Sequence, residues 1–443
     1  MQKSLKKTNG SRTKSFLSCF LTLAVIAGPV RADETATLSI KSIPNVNIRM
    51  YGFIENDVIA DSTQGFAEEM DNNAIAKAST YAGQHHQTIM SIRNSRLGFD
   101  VSFPKTDSGL QSEGIFEFDL LGQGSATAQR DIYNNPVVRV RHAYVNLTDG
   151  SWNGKIGQTW SLLGWQPYYF PSEAIVQPAI GQLYRRFAQA RITHTQNWLG
   201  GDWTLESAID AARPAQINSG VPVGQAGFRL ASTKYKAAAG IGSSIPLVGL
   251  SAGVSGELVP YRTAAFGSAT GSTLAADILV PIIPSIDGKN PGNNLSLTAE
   301  YSNGRGDGGL ELAGLTAGIP GVTDGASATG TGAIDSGEAG VAGGNLDLPH
   351  FQTYRANLTY ILPGAKWSTS GGYADVLGLN IADYGANTAL IPHMQYYYYN
   401  VMFMPLTWLR FALEFVQSKD TYNDADNRYA FNNRIHFTTY LTF

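Results

Sequence analysis

Apolar and polar residues alternate with a period of two along most of this chain. The last twelve residues show it best. Phe443, Leu441, Thr439, Phe437 and Ile435 are apolar or small, whereas Thr442, Thr438, His436, Arg434 and Asn432 between them are polar, with Tyr440 an aromatic exception. A period of two places these sets on opposite faces of one strand. The same grammar recurs at Asn47–Val58, where Ile48, Met50, Gly52 and Ile54 alternate with Arg49, Tyr51, Phe53, Glu55 and Asp57. It recurs again from Arg96 to Phe103, around Glu117 and Asp119, from Val138 to Leu147, and at Trp203–Asp210. In the second half, Leu295–Tyr301, Tyr354–Leu362 and Leu409–Phe415 repeat it.

Two architectures produce this alternation. A soluble sandwich turns its apolar face inward, and a membrane barrel turns it outward. Three features favour the barrel. The strands are long and numerous, short turns such as Pro104–Gly109 alternate with long loops, and aromatics (Tyr396 to Tyr399, Trp408, Tyr440) suit a membrane interface. Closure also satisfies every backbone group, which an open sheet in lipid does not. The expected fold is all-β, a transmembrane antiparallel β-barrel of about 16 strands with a water-filled lumen. The aromatic terminal residue Phe443, ending an alternating strand, is the expected signal to the barrel assembly machinery.

The leader agrees with export. Lys3, Lys6, Lys7, Arg12 and Lys14 precede an apolar run from Phe16 to Gly28 and a small-residue cleavage site at Val30-Arg31-Ala32. Residues 1–32 therefore read as a signal peptide, 33–46 as a short periplasmic segment and 47–443 as the barrel. The single cysteine, Cys19, lies in the leader, so the mature chain uses no disulfide. Six of the 32 basic residues and none of the 35 acids fall within 1–32, which leaves the remainder at a net charge of −9. An acidic exported chain is a poor nucleic-acid binder. No mature segment has 18 consecutive apolar residues, so helical spans are not expected.

Two loops stand out. Residues 162–182 break the alternation and carry Trp165, Tyr168, Tyr169 and Phe170 among prolines, as a packed constriction loop would. Residues 304–344 are rich in Gly, Ala and Thr, with acids and one base, and read as a long mobile extracellular loop.

Several segments, taken in order, resemble the DcaP-like family of trimeric outer-membrane porins: Met50-Tyr51-Gly52-Phe53, Ser95-Arg96-Leu97-Gly98-Phe99, Glu117-Phe118-Asp119, Arg139-Val140-Arg141-His142-Ala143-Tyr144-Val145, Gly157-Gln158-Thr159-Trp160-Ser161 and the terminal Phe443. The similarity is densest from Met50 to Arg191. It implies a 16-stranded homotrimer passing small, mainly anionic solutes such as dicarboxylates, with the loop after Trp160 folded into the lumen. The long coiled-coil segment of some family members is missing, because 33–44 is short and lacks heptads.

For a passive channel the working parts are a charged wall and a constriction. Arg49, Arg96, Arg139, Arg141, Arg185, Arg191, Arg355, Arg410 and Arg434 fall on expected lumen faces with Glu117 and Asp119. The mature chain has 17 Arg against 9 Lys, and Arg binds carboxylates through a bidentate fork. Either a subset of these arginines favours anions, or they pair with acids such as Glu55, Asp57, Glu117, Asp119, Glu206 and Glu414 and brace the wall. A channel for phosphate or another single anion is the alternative within the fold, and a structural or adhesive barrel with a closed lumen the alternative outside it. Gly249-Leu250-Ser251-Ala252-Gly253 matches an esterase pattern, but the strand alternation runs straight through it. His85-His86 lacks a ligand partner at metal-binding spacing. No catalysis, cofactor or metal is expected. The expected partners are membrane lipid, lipopolysaccharide, the assembly machinery, two further copies of the chain and small anionic solutes.

Overall fold

A computed structural model describes residues 45–443 other than 69–73, 123–135, 170–180, 214–219, 239–246, 307–314, 316–317, 323–333, 335–336 and 386. The leader and residues 33–44 lie outside the described residues.

The alternating segments form strands paired antiparallel with their sequence neighbours. In order these are β1 (Asn47–Asp61), β2 (Gln87–Ser91), β3 (Arg96–Ser102), β4 (Gln111–Asp119), β5 (Arg139–Asp149), β6 (Trp152–Trp160), β7 (Arg186–Trp198), β8 (Trp203–Ala212), β9 (Val223–Ala237) and β10 (Val248–Thr263). There follow β11 (Gly267–Ile283), β12 (Asn294–Arg305), the small hairpin β13 (Gly340–Ala342) and β14 (Asn345–Asp347), β15 (His350–Ile361), β16 (Trp367–Gly378), β17 (His393–Leu406), β18 (Leu409–Thr421) and β19 (Tyr429–Thr442). Both β2 and β3 pair with β1, so they form one interrupted stave. The last strand returns to the first, from Phe53 opposite Thr442 to Asp61 opposite Arg434. Among the described residues the result is a closed barrel of 16 staves, as the sequence predicts.

The orientation of the faces distinguishes this barrel from a soluble one. On β19, Ile435 is 54% exposed and Phe437 42%, while Arg434, His436 and Thr438 between them are at most 1% exposed. On β10, Ser251, Ser255 and Glu257 point inward and Val254 and Leu258 outward. Apolar-out and polar-in is the pattern of a wall whose solvent is hydrocarbon. Among the described residues no helix is long and apolar enough to cross a membrane; the strands do the crossing.

Two expectations need correction. The tyrosine run 396–399 does not lie wholly at the lipid face: Tyr397 and Tyr399 are exposed, but Tyr396, Tyr398 and Tyr440 are buried inside. Consecutive strand residues must alternate, so one face cannot take all four. The Gly-rich loop is not simply a mobile surface segment. Its residues Leu315 and Ile319 pack into an apolar cluster with Ile75, Ile381 and Leu390 of other loops and with Val376, Tyr396 and Val416 of the inner wall. Val322, Ile334 and Ala339 join Val259 and Tyr261 in a second cluster.

Candidate functional site

The loop leaving β6 turns into the barrel. Leu162 N–H donates to Gln225 Oε1 at 3.1 Å, and Gly164 N–H to Ser255 Oγ at 2.8 Å. The Trp165 indole Nε1 donates to the Val254 carbonyl at 3.1 Å. The loop thus crosses from β6 to the wall formed by β9 and β10. That wall is shaped to receive it. A Cβ added at Gly227 would lie 3.0 Å from Trp165 Nε1, and one at Gly253 would lie 2.8 Å from Trp165 Cδ1. The two glycines therefore form a slot for the indole. Trp165 itself adopts φ 45°, a left-handed conformation that is unfavourable for a bulky residue and persists where the surroundings impose it.

Beyond the tryptophan, Tyr168 lies under Arg229, whose guanidinium carbon is 3.9 Å from the ring centroid. The Tyr169 carbonyl accepts from Arg355 Nη2 at 3.3 Å, so the loop also reaches β15. Gln166 ties the outgoing and returning limbs together, donating to the Leu183 carbonyl and accepting from Arg185 N–H at 3.1 Å. Trp165, Tyr168 and Tyr169 hence sit together inside the barrel, on a loop anchored at several points. Residues 170–180 of the expected constriction loop lie outside the described residues.

The arginines that the sequence singles out are mostly held in ion pairs. Arg139 grips Asp119 in a bidentate fork (3.0 and 2.7 Å), and Arg141 bridges Glu117 at 2.9 Å and Asp119 at 2.7 Å. Arg96 lies 3.5 Å from Glu117. Arg185 donates to Glu257 at 2.5 Å, Arg191 lies 3.1 Å from Asp210, and Arg355 lies 3.1 Å from Glu300. Arg410 stacks 4.0 Å from the Tyr440 centroid. Two others lie away from the loop. Arg49 is exposed near the start of β1 and pairs with Asp100, while Arg434 is fully buried with both arms on Asp61 at 2.8 Å and further bonds to the Ala67 and Glu68 carbonyls. Phe443 closes the barrel seam through paired backbone hydrogen bonds with Gly52, each 3.0 Å.

Sequence reasoning missed β9 and with it Arg229, which pairs with Glu206 at 2.5 Å beside the loop. The signal was present: Gln225, Gly227 and Arg229 alternate with Ala226, Phe228 and Leu230. It also missed the acids Glu257, Asp210 and Glu300 as partners. Ser251 lies within the extended run of β10 and not on a strand-to-helix turn, so the geometry a nucleophilic serine needs is missing there. Among the described residues no three His, Cys, Asp or Glu side chains converge as a metal-binding group. His85 instead stacks on Tyr81.

Fold and site together define a membrane β-barrel whose lumen is crossed by an inward-folded loop. No family model matches the chain, and no curated protein matches its sequence. Solved structures do. The outer membrane channel DcaP of Acinetobacter baumannii superposes with a TM-score of 0.67 at 18% identity, covering 92% of this chain and 100% of that one. An anion-selective porin from Comamonas acidovorans superposes with a TM-score of 0.53 at 12% identity, covering 90% and 100%. The chain therefore has the DcaP-type channel fold.

Proposed function

We propose that this protein is an outer-membrane porin, a passive diffusion channel for small hydrophilic solutes that prefers anions such as dicarboxylates. The observation that carries the reading is the loop bearing Trp165, Tyr168 and Tyr169, pinned across a polar lumen at Gln225, Ser255 and Arg355. A loop held this firmly narrows the lumen to a fixed shape, and a fixed constriction lined with guanidinium groups selects solutes by size and charge. Arg185, Arg229 and Arg355 contact or flank the loop, and Arg96, Arg139 and Arg141 line the wall nearby. The anion selectivity of the Comamonas porin, which shares the architecture, is in keeping with this. A homotrimer exported by a cleaved leader completes the proposal.

A second reading rests on a specific observation. Arg139, Arg141, Arg185 and Arg191 each have a carboxylate within 3.2 Å, which braces the wall and weakens net selectivity. Single-channel current in a planar bilayer, with reversal potential under a salt gradient, decides between them. Conductance in three equal steps with an anion-directed reversal supports the proposal. An open channel with no preference favours the braced wall. Folded protein that does not conduct refutes the channel.

A further inference from the structure

The outward face of β9 to β12 is not uniformly bulky. Gly224 and Ala226 on β9 and Gly256 on β10 are small, and they lie among the outward side chains Phe228, Leu258 and Leu274. The register sets them side by side: Gly224 opposes Leu258, and Gly256 opposes Ala226 on one side and Leu274 on the other. Where small residues interrupt a tall apolar surface the wall is hollowed, here into a groove of about 840 Å³. Its walls are exposed hydrocarbon, Phe228 being 61% exposed and Leu258 58%. Left empty, such a groove would forfeit dispersion contacts on every side.

The groove has a polar end. Ser272 opposes Arg305, and Arg305 opposes His350, both of which line it. Arg305 is the last residue of β12, where the wall gives way to the long 306–349 connection, and its side chain is 57% exposed. One acid, Asp347, lies 3.3 Å away. Arg262, also outward and exposed, stands four residues beyond Leu258 on β10. From Leu258 down to Val254 is four residues, roughly 14 Å of extended strand, against about 15 Å for half of a hydrocarbon core. The basic end thus falls at headgroup level while the apolar floor runs through one leaflet.

We propose that this groove seats an acyl chain of a phosphorylated glycolipid of the outer leaflet, with Arg305 and Arg262 holding its phosphate. The proposal rests on the outer-membrane reading above but not on conduction. An arginine fork matches phosphate geometry, and each basic residue at a membrane surface adds severalfold to the affinity for an anionic headgroup. Nothing in this arrangement selects a zwitterionic lipid.

The test uses the full chain folded in detergent, with diphosphorylated lipid A and its dephosphorylated form as probes and native mass spectrometry as readout. Gly224→Leu fills the groove, and a Cβ there meets no atom within 4 Å, so the barrel folds. It is expected to weaken both probes. Arg262→Ala/Arg305→Ala is expected to weaken the diphosphorylated form by about tenfold or more while sparing the other. Unchanged binding of the diphosphorylated probe by either variant overturns the proposal. So does a Gly224→Leu variant that changes oligomeric state but not lipid affinity, because the groove then holds a second copy. Conductance measured on the same preparations separates the two readings, since a chain that binds lipid A but does not conduct loses only the channel.

Discussion

Removing the Trp165 indole tests whether the inward loop sets the lumen. Trp165 is 4% exposed, seated between Gly227 and Gly253, and bonded through Nε1 to Val254. Truncating a buried aromatic to alanine costs about 3–5 kcal/mol in a core. Here the loss falls on the anchored form of the loop, not on the barrel, whose hydrogen-bonded ladder is untouched. Taking about 3 kcal/mol, the ratio of anchored to released loop drops by about 150-fold. Relief of the left-handed backbone at position 165, where alanine is less hindered, pushes the same way. Trp165→Ala is therefore expected to raise single-channel conductance and current noise while the protein keeps its heat-modifiable mobility on gels. Gly253→Ala should reproduce a weaker version, because its new methyl would stand 2.8 Å from the indole and overpacking costs about 1–3 kcal/mol. If both variants conduct as quietly and at the same level as the parent, the loop does not define the constriction.

Replacing Arg139 and Arg141 together by Gln leaves Asp119 and Glu117 without their guanidinium partners. Reversal potential should move toward cations, and an unchanged value would remove these arginines from selectivity. Arg434→Met breaks a pair in which both partners are fully buried, a loss of about 3–5 kcal/mol. The temperature of heat modification should fall clearly, and an unshifted transition would show the pair to be dispensable. At the loop end, Lys77 Nζ bonds Asp424 at 2.7 Å and the Thr388 carbonyl at 2.6 Å. The Asp424 carboxyl is held below the ordinary 3.8, chiefly by the hydrogen bond from Lys77. Its contribution to loop docking is thus fully present above that value and lost as pH falls through the lowered one. Hydrogen exchange at residues 74–77 should therefore be slow at pH 6 and accelerate only below pH 3.8. Lys77→Met should be fast throughout.

The fold was legible because its governing physics is local. A strand with hydrocarbon on one side and water on the other must alternate, and the alternation survives in the sequence whatever the partner strand. Pairing is not local. Arg185 meets Glu257 across 72 positions, and nothing in the neighbourhood of either residue announces the other. The arginines could therefore be placed on the lumen face but not matched to acids. The slot for Trp165 was invisible for the same reason: Gly227 and Gly253 look like ordinary strand glycines until the loop is laid across them. Composition misled at residues 304–344. A Gly/Ala background suggests exposure, yet Leu315, Ile319, Val322 and Ile334 are spaced through it as apolar anchors, and each is buried.

A water-filled lumen calls for a polar inner wall, and over most of the barrel that is what the inward residues supply. The sector from β15 to β18 departs from it, turning Phe351, Val376, Met394, Tyr396 and Val416 inward. Exposed to water these side chains would be costly, at about 25 cal/mol for each Å² of apolar surface. They are covered instead by Ile75, Leu315, Ile319, Ile381 and Leu390 from three separate loops. Polar ties hold the covering loops down. Ile75 N–H donates to Asp420 at 2.7 Å, Tyr422 Oη donates to the Ile75 carbonyl at 2.6 Å, and Asn387 donates to the Gly318 carbonyl at 2.7 Å. Loop residues thus fill part of the lumen beside this sector and give it an apolar core of its own. The polar, arginine-bearing faces of β3 to β10 are left as the wall that a hydrophilic solute could follow. The same burial that hides one sector from water thereby supports the reading that the charged sector opposite is the path.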